Sequence, residues 1–281
     1  MWTLNRPTHT ARETYALCIT RIRDLALRNK LQSIVQTIED ASTVFDAAAA
    51  SQLLHTYPRE APVGGIVTRV EMEKVYTQRM SQRGAPGRRI YDELLSAAPH
   101  GKCPLCGHRT VKTLDHHLPK AHYPALAVTP LNLVPCCTDC NKAKLDTIPR
   151  DEERVSLHPY YDNVDGALWL RGEVLQTQPS GLRFFVQVSR DWDRVLAARL
   201  LNHFEILGLA TLYASEAAEE LLSIRQQMTD IHTAGGQQGV RDELVDRATS
   251  CAAARRNSWR TAAYEAWSNS DWFCNGGFSL T

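Results

Sequence analysis

The chain has 281 residues, of which 43% are hydrophobic and 22% are charged. This length allows one large domain or two smaller ones, each with a hydrophobic core. Thirty-two Lys and Arg residues against 31 Asp and Glu residues leave a net charge of +1, which excludes a strongly basic DNA-coating protein. No stretch approaches the ~20 apolar residues of a membrane span, and residues 1–12 lack the apolar core of a signal peptide. We therefore expect a cytoplasmic protein without a membrane segment.

Residues 1–98 are predicted to form an N-terminal helical region. Apolar residues recur three and four positions apart through residues 10–54, and a Pro- and Gly-containing stretch follows at 58–65. Thr68 and Glu71 form a capping-box pattern, in which a hydroxyl and a carboxylate satisfy the free amides at a helix start. After a break at residues 84–87, residues 88–98 indicate one more short helix.

Residues 151–281 are predicted to contain two short strands followed by helices. The strands are expected at 167–174 and 182–189, and the helices at 191–207, 210–231 and 240–267, with glycines between them. The apolar stretch from Leu200 to Leu212 suits either an internal core or a contact with a second copy of the chain. The predicted fold class is therefore α+β and mainly helical, with a small ββα module at residues 99–150.

Five of the eight cysteines lie between residues 103 and 140. Cys103 and Cys106 form one pair with two residues between them, and Cys137 and Cys140 form another. Clustering in a chain without a signal peptide favours a metal over disulfides, and four thiolates suit a closed tetrahedral structural zinc. Cys136 is an alternative to Cys137, although the second pair then loses its two-residue spacing.

The two cysteine pairs are 30 residues apart, more than the roughly 15–20 residues of a plain zinc ribbon. The intervening segment carries Asp-His-His-Leu-Pro at 115–119 and Asn-Leu-Val at 132–134, and Asn141 follows the last cysteine with Lys144 three residues later. This order of parts, over residues 101–145, resembles the HNH endonucleases. It is most similar to the branch whose ββα-metal fold is braced by a four-cysteine zinc.

The resemblance implies a role for each of four residues. Asp115 corresponds to a ligand of the catalytic metal and His116 to the general base. Asn132 corresponds to the residue whose side chain holds the loop that carries the histidine. Asn141 stands where the family has its final histidine, which makes this an H-N-N version. Oxygen ligands from Asp115 and Asn141 suit Mg²⁺ or Mn²⁺ better than a softer ion.

These residue types are those that phosphodiester hydrolysis needs. A histidine with a pKa of about 6.5 can take a proton from water at neutral pH, and a hard cation can relieve charge on the phosphate and on the departing 3′ oxygen. Because neighbouring side chains of an extended strand point in opposite directions, Asp115 and His116 can converge only if the strand end is distorted.

Lys120, Lys142 and Lys144 are predicted to contact the phosphate backbone of the substrate. Residues 101–145 contain six Lys and Arg residues against two Asp residues, a locally positive balance that favours phosphate. His122, in the loop before the second strand, is a further candidate for a phosphate contact, and an exposed loop histidine without such a role is the alternative.

The leading prediction is a metal-dependent HNH endonuclease that cleaves nucleic acid. DNA is favoured over RNA because no RNA-recognition motif or stacking platform is visible. By resemblance, such an enzyme is expected to serve in defence against phage, beside a protein partner such as an ATPase. The alternatives are a non-catalytic zinc module that binds nucleic acid or protein, and an RNase that uses the same site.

Overall fold

The structure is a computed structural model that describes residues 1–144, 148–188 and 191–279. The chain divides into two compact units, Met1–Asn163 and Val164–Thr281. The N-terminal helices and the cysteine-bearing segment therefore belong to the same unit. The fold class is α+β and mainly helical, as predicted. The last residue of the segment 101–145 and the last residue of the strand predicted at 182–189 lie outside the described residues.

The first unit begins with three helices, α1 (Ala11–Ile19), α2 (Leu25–Gln32) and α3 (Val35–Ala50). The helical pattern of residues 10–54 is thus divided twice. Asp24 starts α2 because its carboxylate accepts a hydrogen bond from the amide of Leu27. These helices bury a common set of apolar side chains, among them Tyr15, Ile19, Leu31 and Ile38.

Helices α4 (Arg69–Tyr76) and α5 (Arg88–Ser96) come next in this unit. The capping box is confirmed: the Thr68 hydroxyl accepts from the Glu71 amide, and the Glu71 carboxylate accepts from the Thr68 amide. Gly87 precedes α5 where a Cβ would lie 2.5 Å from Cys18 Sγ. Glycine therefore allows the start of α5 to pack against α1.

The segment after α5 forms a two-stranded hairpin and a helix. Strand β1 (Thr113–His116) pairs antiparallel with β2 (Leu133–Cys136), so that Thr113 faces Cys136 and His116 faces Leu133. Helix α6 (Thr138–Lys144) follows β2 directly. The beginning of the chain covers the first cysteine turn, since the Trp2 amide donates to the Pro104 carbonyl at 2.7 Å.

The second unit contains the hairpin β3 (Leu170–Leu175) and β4 (Gly181–Val186), followed by α7 (Arg194–Ile206), α8 (Leu209–Ala254), α9 (Trp259–Ser268) and α10 (Asp271–Cys274). Gly236, with φ 63° and ψ −158°, breaks α8. The two parts of α8 lie side by side, because Gln227 contacts Glu243 and Arg247 across the break.

The single helix predicted at 240–267 is wrong. Arg255 is extended, and Ser258 caps the new helix α9. Between them, the Asn257 side chain accepts hydrogen bonds from the amides of Trp169 and Leu170. A tertiary contact to β3 thus ends the helix where the local pattern would continue it.

No single helix among the described residues is both long enough and apolar enough to cross a membrane. Helices α7 and α8, which are bent by 61° relative to each other, meet the length and composition criteria only as a pair.

Replacing Thr68 by Ala is expected to reduce the free energy of unfolding of the first unit by about 1 kcal/mol, because the amide at the start of α4 loses its acceptor. Chemical denaturation followed by circular dichroism measures the change. Thr43→Ala is the matched control, since Thr43 is an exposed helical threonine whose hydroxyl donates to the Glu39 carbonyl of its own helix. An equal loss in both variants would contradict the role of the cap.

Candidate functional site

Four cysteines form a buried cluster. The sulfur atoms of Cys103, Cys106, Cys137 and Cys140 all lie within 4.8 Å of one another. Backbone amides point at two of these sulfurs: Arg109 N lies 3.4 Å from Cys106 Sγ, and Cys140 N lies 3.4 Å from Cys137 Sγ. Amide donors stabilise thiolate charge, and four sulfurs make a complete tetrahedral donor set. The cluster could therefore hold a metal such as zinc.

Cys136 is not one of these four cysteines, although its thiol interacts with Cys103, Cys137 and Cys140 beside it. Its buried thiol donates to the carbonyl of Cys137 at 3.2 Å. The alternative in which Cys136 replaces Cys137 is thus not the arrangement that the structure contains.

His116, the last residue of β1, has a fixed orientation. Its Nε2 lies 2.8 Å from the carbonyl oxygen of Ala127, and since a carbonyl can only accept, Nε2 carries the hydrogen. Burial lowers the pKa of His116 to about 3, with smaller contributions from the charges of Lys120 and Lys144. The imidazole is therefore neutral, and Nδ1 carries the lone pair.

Asn132 holds the loop that follows His116. Its side-chain oxygen accepts from the Leu118 amide at 2.7 Å, and its side-chain nitrogen donates to the carbonyls of Leu118 and Leu126 at 3.0 and 3.3 Å. The Asn132 backbone carbonyl also accepts from the amide of His117. The amide side chain thus pairs with the Leu118 backbone as a neighbouring strand would, and it fixes the path of the chain beyond β1.

Lys144 lies at the end of α6 and is buried against the end of β1. Its Nζ donates to Asp115 Oδ2 at 2.8 Å and to the carbonyls of His116 and His117 at 2.9 and 2.7 Å. Successive carbonyls of an extended strand point in opposite directions, so two that converge on one ammonium show that the chain leaves the strand geometry here. The end of β1 is therefore distorted, and the convergence of Asp115 and His116 on one ion stays a prediction.

The prediction that Lys144 contacts the nucleic-acid backbone is wrong. An ammonium has three N–H donors, and all three are used inside the protein. The sequence shows that Lys144 is positively charged. It does not show that one buried carboxylate and two backbone carbonyls accept hydrogen bonds from its ammonium.

Asp115 and Asn141 are the two predicted ligands of a catalytic ion. Burial raises the pKa of Asp115, and the positive charge of Lys144 opposes this effect. Asn141 lies on α6 three residues before Lys144, on the same side of the helix, and is half-buried. One carboxylate and one amide are oxygen donors of the type that a hard dication takes. The donor types fit Mg²⁺ or Mn²⁺, although the Asp115 carboxylate is already paired with an ammonium.

The other predicted nucleic-acid contacts are more accessible than Lys144. Lys120 is half-buried, with its Nζ 5.7 Å from the centroid of the Tyr76 ring. The same ring packs edge-on against His116 at 4.4 Å between centroids, so Lys120 lies close to the histidine. Lys142 is exposed on α6, and His122 is half-buried in the loop after β1.

Two supports of this site come from outside residues 101–145. The first is Tyr76 of α4, which contacts His116 from a helix far away in the chain. The second is the segment 158–162, in which His158 packs on the His117 ring at 4.2 Å and Tyr160 donates to the Leu133 carbonyl. Neither pattern nor spacing in the sequence links Tyr76 or the segment 158–162 to the particular residues that they contact.

No protein-family model and no solved structure matches this chain. Protein ea31 of Escherichia phage lambda is 31% identical over 231 residues, which cover 79% of this chain and 78% of that protein. The chain belongs to the ea31 family. The name of this relative states no activity.

Cys137→Ser is expected to reduce the bound metal from about one zinc ion per chain to almost none and to abolish the cooperative unfolding of the first unit, because zinc binding and folding are coupled. Atomic absorption and thermal denaturation measure the two effects. Cys136→Ser is the matched control and should keep its zinc. The assignment fails if the metal is lost from the Cys136 variant and kept in the Cys137 variant.

Proposed function

We propose that this ea31-family protein is an HNH-type endonuclease that hydrolyses phosphodiester bonds, with DNA as its substrate. The observation that carries the proposal is the anchored imidazole of His116, at the end of the strand that begins the hairpin and helix. Its Nε2–H is held by the Ala127 carbonyl, which leaves Nδ1 as a proton acceptor in a fixed position.

His116 acts as the general base in this proposal. A neutral imidazole with one nitrogen tied to a carbonyl keeps a single tautomer, so its other nitrogen has a fixed position from which to accept a proton from the attacking water. The burial that lowers the pKa of His116 also makes it a weaker base, so its role in the proposal depends on its position. Asn132 is a positioning residue, because it holds residues 117 and 118 and thereby the backbone next to the histidine. Tyr76 packs on one side of the imidazole and limits its motion.

Two metals have separate roles in the proposal. The four-cysteine cluster would hold a structural zinc, because a closed set of four sulfurs leaves no position for substrate. Asp115 and Asn141 would hold Mg²⁺ or Mn²⁺, an ion that would supply charge relief at the phosphate and the departing oxygen. Every residue that holds either metal comes from the segment 103–141.

The proposed substrate contacts are Lys120, Lys142 and His122. Lys120 is near His116 through the Tyr76 ring, and Lys142 is exposed on the helix that carries Asn141. Backbone contacts of this kind position a strand without reading its sequence. By the resemblance to HNH enzymes, we extend the proposal to a cytoplasmic role in defence against phage with a protein partner such as an ATPase, and to self-association of the chain.

One observation favours a second candidate, a non-catalytic zinc module that binds nucleic acid or protein. Both Asp115 and His116 are buried, and the Asp115 carboxylate is occupied by Lys144. A site that serves only as scaffold would have these features. A plain zinc module, however, has no need for an anchored imidazole with a free lone pair, and this feature supports the nuclease.

His116→Ala is expected to lower the rate of DNA cleavage by at least roughly a hundred-fold, because a positioned general base contributes about that factor or more. The zinc content and the melting temperature measured alongside should show that the cluster remains intact. His9→Ala is the control, since His9 pairs with Glu93 on the helical part of the unit. Undiminished cleavage by the His116 variant would remove the histidine from the mechanism.

Purified protein incubated with plasmid DNA, linear DNA and RNA is expected to cut DNA when Mg²⁺ is added and not in EDTA, and the cleaved ends should carry 5′-phosphates. Zinc content is measured after the EDTA step, so that loss of the structural metal is not mistaken for loss of the catalytic ion. Cleavage of RNA alone would identify an RNase. Binding of nucleic acid without cleavage in every arm would identify the zinc module.

A further inference from the structure

We propose that Lys144 is the built-in counter-cation of Asp115, which a hard divalent cation must displace or oppose when it binds there. Lys144 is thus a positioning residue that sets the affinity of the site for the ion. This inference rests on the proposed function for the identity of the ion, Mg²⁺ or Mn²⁺. It goes beyond that function by naming the residue that controls when the ion binds.

The geometry makes the Asp115–Lys144 pair a closed unit. The ammonium has three acceptors between 2.7 and 2.9 Å, one on each of three successive residues, and both side chains are buried. Among the described residues, Asp115 is the one carboxylate that contacts this ammonium, and it does so through Oδ2. Moving the ammonium out of this site would leave a buried carboxylate unpaired, which is unfavourable unless another cation binds that carboxylate.

Electrostatics sets the two cations against each other. A dication on Asp115 would lie within a few ångströms of the Lys144 charge, and two positive charges at that distance repel strongly inside a protein. The ion would bind in one of two ways. Either the ammonium moves away from Oδ2, or the ion binds the other carboxylate oxygen with a free energy that the repulsion makes less favourable. Either route lowers the affinity of the wild-type site.

Lys144 also holds the turn at the end of β1. The carbonyls of His116 and His117 both accept from its Nζ, and this bends the chain where Asp115 and His116 must converge. A change at Lys144 therefore has two separable effects. Loss of charge should strengthen ion binding, while loss of the hydrogen bonds should loosen the turn.

The test is a Mn²⁺ titration followed by electron paramagnetic resonance on the zinc-loaded full chain. Lys144→Gln removes the charge and keeps an amide that can donate to the two carbonyls, and Lys144→Met removes both the charge and the donors. Lys144→Gln is expected to bind Mn²⁺ tighter by on the order of ten-fold, since charges a few ångströms apart at an effective dielectric of about 20 are worth at least a decade of affinity.

Two further variants locate the effect. Lys144→Arg keeps the charge and should bind Mn²⁺ as the wild type does. Adding Asp115→Asn to Lys144→Gln should abolish the gain, because the carboxylate on which the two cations compete is gone.

The proposal is overturned if folded Lys144→Gln binds Mn²⁺ no more tightly than the wild type, or if the gain survives the loss of the Asp115 carboxylate. It is also overturned if neither Lys144→Gln nor Lys144→Met folds, since Lys144 is then scaffold alone. The titration measures no cleavage. A chain that shows the affinity change but cuts nothing would therefore retain this inference and lose the proposed nuclease.

Discussion

The ammonium of Lys144, buried at the junction of α6 and β1, is the contact on which the geometry of the candidate site depends. It joins a helix to the end of a strand through one carboxylate and two carbonyls. Cys137 directly precedes this helix and Cys140 lies in its first turn. Both contribute sulfurs to the cluster of four, and this fixes the position of the helix. A metal in the cluster would thus stabilise the position of His116 indirectly, through α6 and Lys144.

The turn after β1 is held from a second direction by Asn132. The Asn132 amide replaces strand pairing for Leu118, while Lys144 takes the carbonyls of the two residues before it. A histidine at this point cannot drift, because its backbone is fixed on both sides and its Nε2 is tied to Ala127. Such rigidity is what a general base needs if the proton must be taken along one direction.

The protein as a whole is almost neutral, but one segment of it has an excess of positive charge. The net charge is +1, and helices of the first unit pair several of their cations with nearby carboxylates, as Lys30 does with Glu71 and Arg88 with Asp92. Residues 101–145 contain more Lys and Arg than Asp residues, although the charge of Lys144 is paired with that of Asp115 inside the protein. In the proposed function, this segment supplies part of the attraction for phosphate. The similarity to protein ea31 spans 231 residues and therefore extends well beyond the segment.

Chain-local signals were enough to predict the four-cysteine spacing, the capping box at Thr68 and the existence of the β3–β4 hairpin, because each depends on residues a few positions apart. The functions of Lys144 and Tyr76 depend instead on groups brought together from distant parts of the chain, which leave no periodicity to read. The same reason explains the break before α9, where Asn257 is used by β3. The amino-acid pattern thus determined which hydrogen-bond donors and possible metal ligands are present, whereas tertiary packing decided which charges meet and which side chains remain exposed.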